Sequence, residues 1–146
     1  MIIFKGKYNV STAINITMKI DHLAIWTENL EATKDFYITY FGMLCSEKYT
    51  NEAKHFTSYF LSFKNSSTRI ELMHRPNIIA DNNTKGLTNG LTHFAISVGS
   101  KELVDSLTEK LRADKHIIQS EPRTTGDGYY ESVVLDPEGN LVEITE

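Results

Sequence analysis

The chain carries one eight-residue pattern twice. Ile20-Asp21-His22-Leu23-Ala24-Ile25-Trp26-Thr27 returns 71 residues later as Leu91-Thr92-His93-Phe94-Ala95-Ile96-Ser97-Val98, with His-apolar-Ala-Ile inside both. Each alternates with the period of two expected of a strand, so His93 shares a face with Ala95 and Ser97 while Phe94, Ile96 and Val98 point the other way. In the first copy His22 stands with Ala24, and Leu23 and Ile25 make the apolar face. A ring beside an alanine suits the wall of a cavity; the opposite face is built to lie under a helix. A second pair follows at nearly the same offset, Ile70-Glu71-Leu72 returning as Val142-Glu143-Ile144. The chain therefore reads as two copies of one supersecondary unit, each with a histidine near its start and a glutamate near its end.

The stretches between agree with this. Asn29 is placed to cap a helix from Leu30 to Phe41, with Ala32, Phe36 and Tyr40 at spacing four, Tyr37 and Phe41 beside them, and Gly42 to end it. Ser100 holds the same position in the second copy, ahead of an expected buried stripe of Leu103, Val104, Leu107 and Leu111. Three strands are expected after each helix: Leu44 to Tyr49, Phe56 to Phe63 and Arg69 to Met73, then Ile117 to Ser120, Tyr129 to Leu135 and Leu141 to Thr145. Lys64-Asn65-Ser66-Ser67 and Asp136-Pro137-Glu138-Gly139-Asn140 supply the last turns. Each unit reads β-α-β-β-β, so the fold class is α+β, one domain over 18–146 made of repeats at 18–75 and 90–146 with a polar linker between. Residues 1–17 have no counterpart in the second half and are expected to form an N-terminal extension, either an added edge strand or disordered. Trp26 is expected in the core, and Cys45 as a small buried residue.

At 146 residues, 40% hydrophobic and 23% charged, the chain has enough apolar matter for one core without disulfides or a structural metal. Its formal net charge of −4 offers no basic surface for nucleic acid. Cys45 is the sole cysteine, which excludes an internal disulfide and fits a reducing compartment. No run nears the roughly 18 apolar residues of a membrane helix, and Asn9, Ser11, Thr12, Asn15 and Thr17 interrupt any secretory signal. A cytoplasmic protein with a small-molecule substrate and no membrane or nucleic-acid partner is expected.

Glu71 and Glu143 sit in mid-strand between apolar neighbours, where an unpaired carboxylate removed from water costs several kcal/mol. A cation offsets that cost. With His22 and His93 the two acids form a mixed nitrogen and oxygen donor set suited to one divalent first-row ion, zinc or nickel foremost and cobalt, iron or manganese next. A single strand histidine or edge glutamate is ordinarily a surface group. Four such residues at matched positions in two copies are much harder to explain separately.

The same residues carry a family resemblance. Asp21-His22-Leu23-Ala24-Ile25, Asp35-Phe36-Tyr37 with Phe41-Gly42, Thr92-His93-Phe94-Ala95 and Asp136-Pro137-Glu138-Gly139-Asn140-Leu141-Val142-Glu143 resemble the vicinal oxygen chelate superfamily over about residues 18–146. That superfamily includes glyoxalase I, methylmalonyl-CoA epimerase, fosfomycin-modifying thiol transferases, extradiol dioxygenases and bleomycin-binding proteins. The resemblance implies paired modules whose mixed sheets curl into a cup, with metal ligands on the first and last strand of each module, where His22, Glu71, His93 and Glu143 fall. The full His/Glu/His/Glu set is similar to glyoxalase I. Dioxygenases and thiol transferases typically use two His and one Glu, epimerases usually have Gln where Glu71 stands, and bleomycin-binding members lack the ligands.

What the resemblance implies is a metal-dependent lyase or isomerase of the lactoylglutathione lyase type, taking a proton from beside a carbonyl through a metal-stabilised enediolate. Glu143 matches the base, and Glu71 the second carboxylate ligand or the partner in proton return. A metal-dependent thiol transferase of the fosfomycin-resistance type and a non-catalytic ligand-sequestering protein are the alternatives. Bacterial glyoxalase I members often hold glutathione with an Arg four residues after the first His and an Asn four after the first Glu; Trp26 and Arg75 stand there in this chain. Another thiol adduct or a small α-hydroxycarbonyl compound is therefore the expected substrate. The stretch from Pro122 to Glu131 reads as a flexible loop bordering the cup, with Arg123 for a substrate carboxylate or phosphate and Tyr129 or Tyr130 as pocket lining. A homodimer is expected from the family and from sheet edges that need covering.

Overall fold

The computed structural model describes residues 18–79 and 85–146, so the extension expected over 1–17 lies outside the described residues. The duplication shows directly in the element order. The first module runs β1 (His22–Trp26), α1 (Leu30–Phe41), β2 (Leu44–Cys45), β3 (Tyr49–Asn51), a short 3-10 turn at Glu52–Lys54, β4 (Phe56–Ser62) and β5 (Arg69–His74). The second runs β6 (His93–Ser97), α2 (Lys101–Ala113), β7 (Ile118–Thr124), β8 (Tyr130–Leu135) and β9 (Leu141–Thr145). One sheet has the order β1-β5-β4-β2, with β3 also on β4, and the other β6-β9-β8-β7. In each, first and last strands pair in parallel and the remaining neighbours are antiparallel. With β2 and β3 counted as two pieces of one edge strand on β4, these are the two βαβββ units of an α+β fold with unclosed, curled mixed sheets.

The helices begin and end where the sequence places them. The side chain of Asn29 accepts from the Ala32 N–H and that of Ser100 from the Leu103 N–H. Gly42 closes α1 at φ 64°, a left-handed conformation that a side chain would strain. The buried stripes are shifted from expectation. Leu30, Thr33, Phe36 and Tyr37 are buried in α1, and Val104, Thr108 and Leu111 in α2, while Ala32 and Leu103 are exposed. Threonine can replace an apolar residue here because its hydroxyl is satisfied inside the helix. Thr33 Oγ1 donates to Asn29 O at 2.9 Å, and Thr108 Oγ1 lies 2.7 Å from both Val104 O and Ser132 Oγ. Ile25, Leu61, Ile70 and Leu72 from one sheet, and Ile96, Val134, Val142 and Ile144 from the other, complete the core.

Two strand expectations and one burial expectation are corrected. Pairing along Leu44 to Tyr49 lapses after Cys45, because the Phe60 N–H is taken by Ser46 Oγ at 3.0 Å instead of a backbone carbonyl. Strand β7 continues through Pro122 and Arg123 to Thr124, so only the turn from Thr125 to Tyr129 remains of the expected loop; an edge strand with register shifts tolerates the proline. Cys45 is exposed rather than buried.

Two polar clasps tie the modules together. Tyr37, fully buried, donates to Asp136 Oδ2 at 2.8 Å, and burial followed by the Asp136 charge pushes its phenol well above the usual range. The Glu138 carboxylate accepts from the Glu28 and Asn29 N–H groups at 2.9 Å each and lies 3.1 Å from Thr33 Oγ1, at the positive end of α1. The turn that leads into Glu143 is thereby fixed to the helix of the other module.

Candidate metal centre

Matched register makes matched pairs. Strand β5 sets Arg69 opposite His22 and Glu71 opposite Ala24; strand β9 sets Leu141 opposite His93 and Glu143 opposite Ala95. Each histidine is therefore the diagonal neighbour of a glutamate on the adjacent parallel strand, across a methyl group too small to separate them. His22 Nε2 is 3.8 Å from Glu71 Oε2, and His93 Nε2 is 3.4 Å from Glu143 Oε2. Two donor atoms about 2.0–2.2 Å from one ion, at tetrahedral to octahedral angles, lie about 2.8–3.6 Å apart. Each pair thus fits a shared divalent ion with little or no adjustment. The acids are the covered partners, 16% and 15% exposed, and the rings are open at 40% and 45%.

The four residues do not gather within one chain. Among the described residues no three His, Cys, Asp or Glu side chains are grouped so as to hold an ion. The arrangement is two candidate half-sites of two donors each, whereas a closed or catalytic first-row site takes three or four protein donors.

The half-sites have different surroundings. His22 Nδ1 lies 3.0 Å from Asp21 Oδ2, which fixes the ring with Nε2 toward Glu71. Hydrogen bonds from His22 and then Arg69 pull the Asp21 carboxyl down to about 2. Phe60 meets the His22 ring edge-on, and Arg69 lies over Phe60. In the second half-site Thr92 precedes His93, and the added group is instead Glu131. It shares the face of Val133, which lies opposite Glu143, and it is 9% exposed. Burial, with the charge of Glu131 adding to it and His93 opposing it, pushes the Glu143 carboxyl above the usual range. Asp21 and Glu131 escaped the sequence reading as site residues, although strand alternation places Glu131 beside Glu143.

The remaining predicted residues divide. Arg123 shares the Glu131 face and reaches Glu131 Oε1 at 3.5 Å and Ser120 Oγ, so it borders the second half-site. Tyr129 is exposed in the turn. Tyr130 points to the helix face, where its hydroxyl donates to Asp105 at 2.8 Å and Lys101 covers its ring; it does not line the cup. Trp26, expected in the core, is 38% exposed on the His22 face.

Duplicated βαβββ units with acids and imidazoles on their first and last strands define a class of chelating cup folds. The family model for the Glyoxalase/Bleomycin resistance protein/Dioxygenase superfamily matches residues 19–144, and the chain belongs to that superfamily. The structure is similar to the trypanothione-dependent glyoxalase I of Leishmania major, with 22% identity and a TM-score of 0.71 over 89% of this chain and 87% of that one. It is similar to a glyoxalase family protein of Enterococcus faecalis, with 24% identity and a TM-score of 0.71 over 88% and 97%. Glyoxalase I of Zea mays gives 24% identity and a TM-score of 0.72 over 87% of this chain but only 44% of the maize chain, so this chain spans under half of that protein. At such identities the likeness shows the fold. The comparison with curated proteins found no match. No helix among the described residues is long and apolar enough to cross a membrane.

Proposed function

We propose that this protein is a metal-dependent lyase or isomerase of the glyoxalase I type, acting on a small α-hydroxycarbonyl or thiol-adduct substrate, with His22, Glu71, His93 and Glu143 as ligands of one divalent ion per site. The observation that carries the reading is the repetition of an Nε2 to Oε2 contact at 3.8 and 3.4 Å in two modules of the same register. Because the pairs stay apart in one chain, the complete site takes one half from each chain of a homodimer. A two-fold relation makes two identical sites of this kind.

A divalent ion held by His22, Glu71, His93 and Glu143 would supply electrophilic polarisation of the substrate carbonyl. The chain supplies the proton transfers. Glu143, covered and 3.4 Å from His93 Nε2, takes the proton from the carbon beside the carbonyl. Glu71, supported through His22 and Asp21, faces it from the other half-site and returns the proton. Zinc or nickel suits the donors best.

The test is metal content of the purified protein, together with turnover of a panel of α-ketoaldehyde and thiol substrates by wild type and Glu143→Gln. Uptake of about one ion per chain is expected, with turnover falling roughly 10²–10⁴-fold in the variant and metal held less tightly. Thiol addition without isomerisation would replace the reading with a transferase. A protein that takes up no divalent ion would replace it with ligand sequestration.

A further inference from the structure

Two apolar hollows away from the half-sites run into each other. The first, about 490 Å³, is lined by Ile20, Leu23 and Met43, and the second, about 570 Å³, by Phe41, Leu103 and Leu107. Phe63 and Ile96 belong to both. The two therefore make one groove between the modules, with the ends of α1 and β4 on one side and β6 and α2 on the other. Large apolar side chains along it stand in water: Leu103 is 51% exposed and Ile20 70%, and Met18 beside Ile20 is 84% exposed. Apolar surface gathered in this way marks a place of contact.

The chain itself arrives there. The Ile20 carbonyl accepts from Thr68 Oγ1 at 2.8 Å and the Asp21 carbonyl from the Arg69 N–H at 2.9 Å, which ties this backbone to the start of β5 and leaves Ile20 lining the groove. The sequence ahead of Ile20 keeps a continuous period of two. Tyr8, Val10, Ile14, Ile16 and Met18 share the parity of Ile20, interrupted only by Thr12, and Asn9, Ser11, Ala13, Asn15, Thr17 and Lys19 alternate with them. Since Ile20 lines the groove, an extended continuation of the chain would present the apolar face to it and the polar face to water. Six residues of extended chain, from Ile20 back to Ile14, cover about 20 Å. The wall that α2 supplies from Leu103 to Lys110 is about 10 Å long, so the segment has the length to fill the second hollow.

We propose that residues 8–17 occupy this groove as an extended segment of the same chain, with Val10, Ile14 and Ile16 set against Phe63, Leu103 and Leu107. The occupant is the chain's own segment rather than a second copy's because it starts at the groove with no spacer, and attachment gives it an effective concentration that a separate molecule must outcompete. The assignment gives a partner to Leu103, which α2 turns outward while Val104, Thr108 and Leu111 take the buried side. It also adds a third tie between the modules beside those of Tyr37 and Glu138. It does not depend on a metal or on the proposed reaction.

The full chain is tested with Cys45→Ser, which removes its sole cysteine. Leu103→Cys is then combined in turn with Ile14→Cys, Asn15→Cys and Ile16→Cys, and each pair is oxidised in dilute solution and scored by non-reducing gel and peptide mass. A disulfide needs both Cβ atoms turned toward each other, so the bond within one chain is expected to form at least about 5-fold faster from position 14 or 16 than from position 15. Hydrogen exchange of the unsubstituted chain supplies a second readout. Amides of residues 8–17 are expected to be protected at least about 10-fold over a free chain, the factor that one buried isoleucine supplies. Leu103→Asp, on an exposed position of α2, and Ile14→Asp, which alters the segment alone, are each expected to remove that protection while the amides of Val104, Thr108 and Leu111 keep theirs. Equal rates from positions 14, 15 and 16, amides of 8–17 that exchange as a free chain does, or protection that survives both aspartate variants overturns the proposal. A disulfide that forms between chains overturns it in favour of a second copy.

Discussion

Removing one hydroxyl at the module junction tests how firmly the two half-sites are held in place. In Tyr37→Phe the ring stays in the core and only its 2.8 Å bond to Asp136 Oδ2 is lost. Asp136, 4% exposed, keeps three donors: the Glu138 N–H at 3.0 Å, the Asn140 N–H at 2.8 Å and Asn140 Nδ2 at 2.9 Å. No charge is left alone, so the cost is that of one hydrogen bond to an ionised group, about 1.5–3 kcal/mol. Asp136→Ala removes the acceptor of all four donors and leaves a buried Tyr37 hydroxyl without a partner, so a larger loss is expected, about 3–5 kcal/mol. Urea unfolding of both variants and of the double variant measures the coupling, with a midpoint shift and an unchanged slope expected for Tyr37→Phe. In thermal terms its loss is roughly 5–10 °C. If Tyr37→Phe matches wild type within about 0.5 kcal/mol, the remaining donors alone hold Asp136, and the clasp is not what fixes the Glu143 turn to α1.

Two further outcomes follow from the half-sites. Asp21→Asn keeps a neighbour for His22 but removes its charge, and ion affinity by direct titration is expected to fall about 10–100-fold; unchanged affinity would remove Asp21 from the site. Glu143 has a raised folded-state proton affinity, so its stabilising contribution is full below its ordinary value of 4.5 and is lost as pH rises through the raised value. In metal-free buffer at neutral pH, Glu143→Gln is therefore expected to melt higher than wild type, with the gap closing at pH 4 and narrowing when a divalent ion is added. A variant that melts lower at every pH would show that burial does not penalise this carboxylate.

The duplication made most of the fold legible, because equal spacing of His and Glu in the halves is what equal strand register produces. The same alternation held the information on Trp26, which shares the His22 face, and on Tyr130, which alternates away from Glu131. Treating Trp26 as core matter because it is large and apolar overrode that period. Leu103 failed for a related reason: hydrophobicity ranks leucine above threonine, but Thr108 satisfies its hydroxyl at Val104 O and the helix turns leucine outward. Pro122 and the glycines after it suggested a loop, whereas an edge strand has unpaired N–H positions to spare. The Glu138 clasp joins residues more than a hundred positions apart, and no local pattern announces it.

Whether a site draws on one chain or two is decided by mixing. Let one variant carry His22→Ala and Glu71→Gln, and another carry His93→Ala and Glu143→Gln. Each homodimer then has two broken sites. Refolding the two together in equal amounts gives dimers of which half are mixed, and in a mixed dimer one site joins the intact first half of one chain to the intact second half of the other. The companion site collects all four substitutions. Half of the dimers with one of two sites working predicts about a quarter of wild-type turnover, for a two-fold assembly with random pairing. Sites completed within a single chain would leave the mixture inactive, since neither chain contains both halves. The edges make the same distinction physically: β1 and β6 each end a sheet, while α1 and the β8–β9 turn are already bound to each other through Tyr37 and Glu138. On the proposed reading the surfaces left to bring the glutamates together are the cup floors of two chains, and an inactive mixture would refute it.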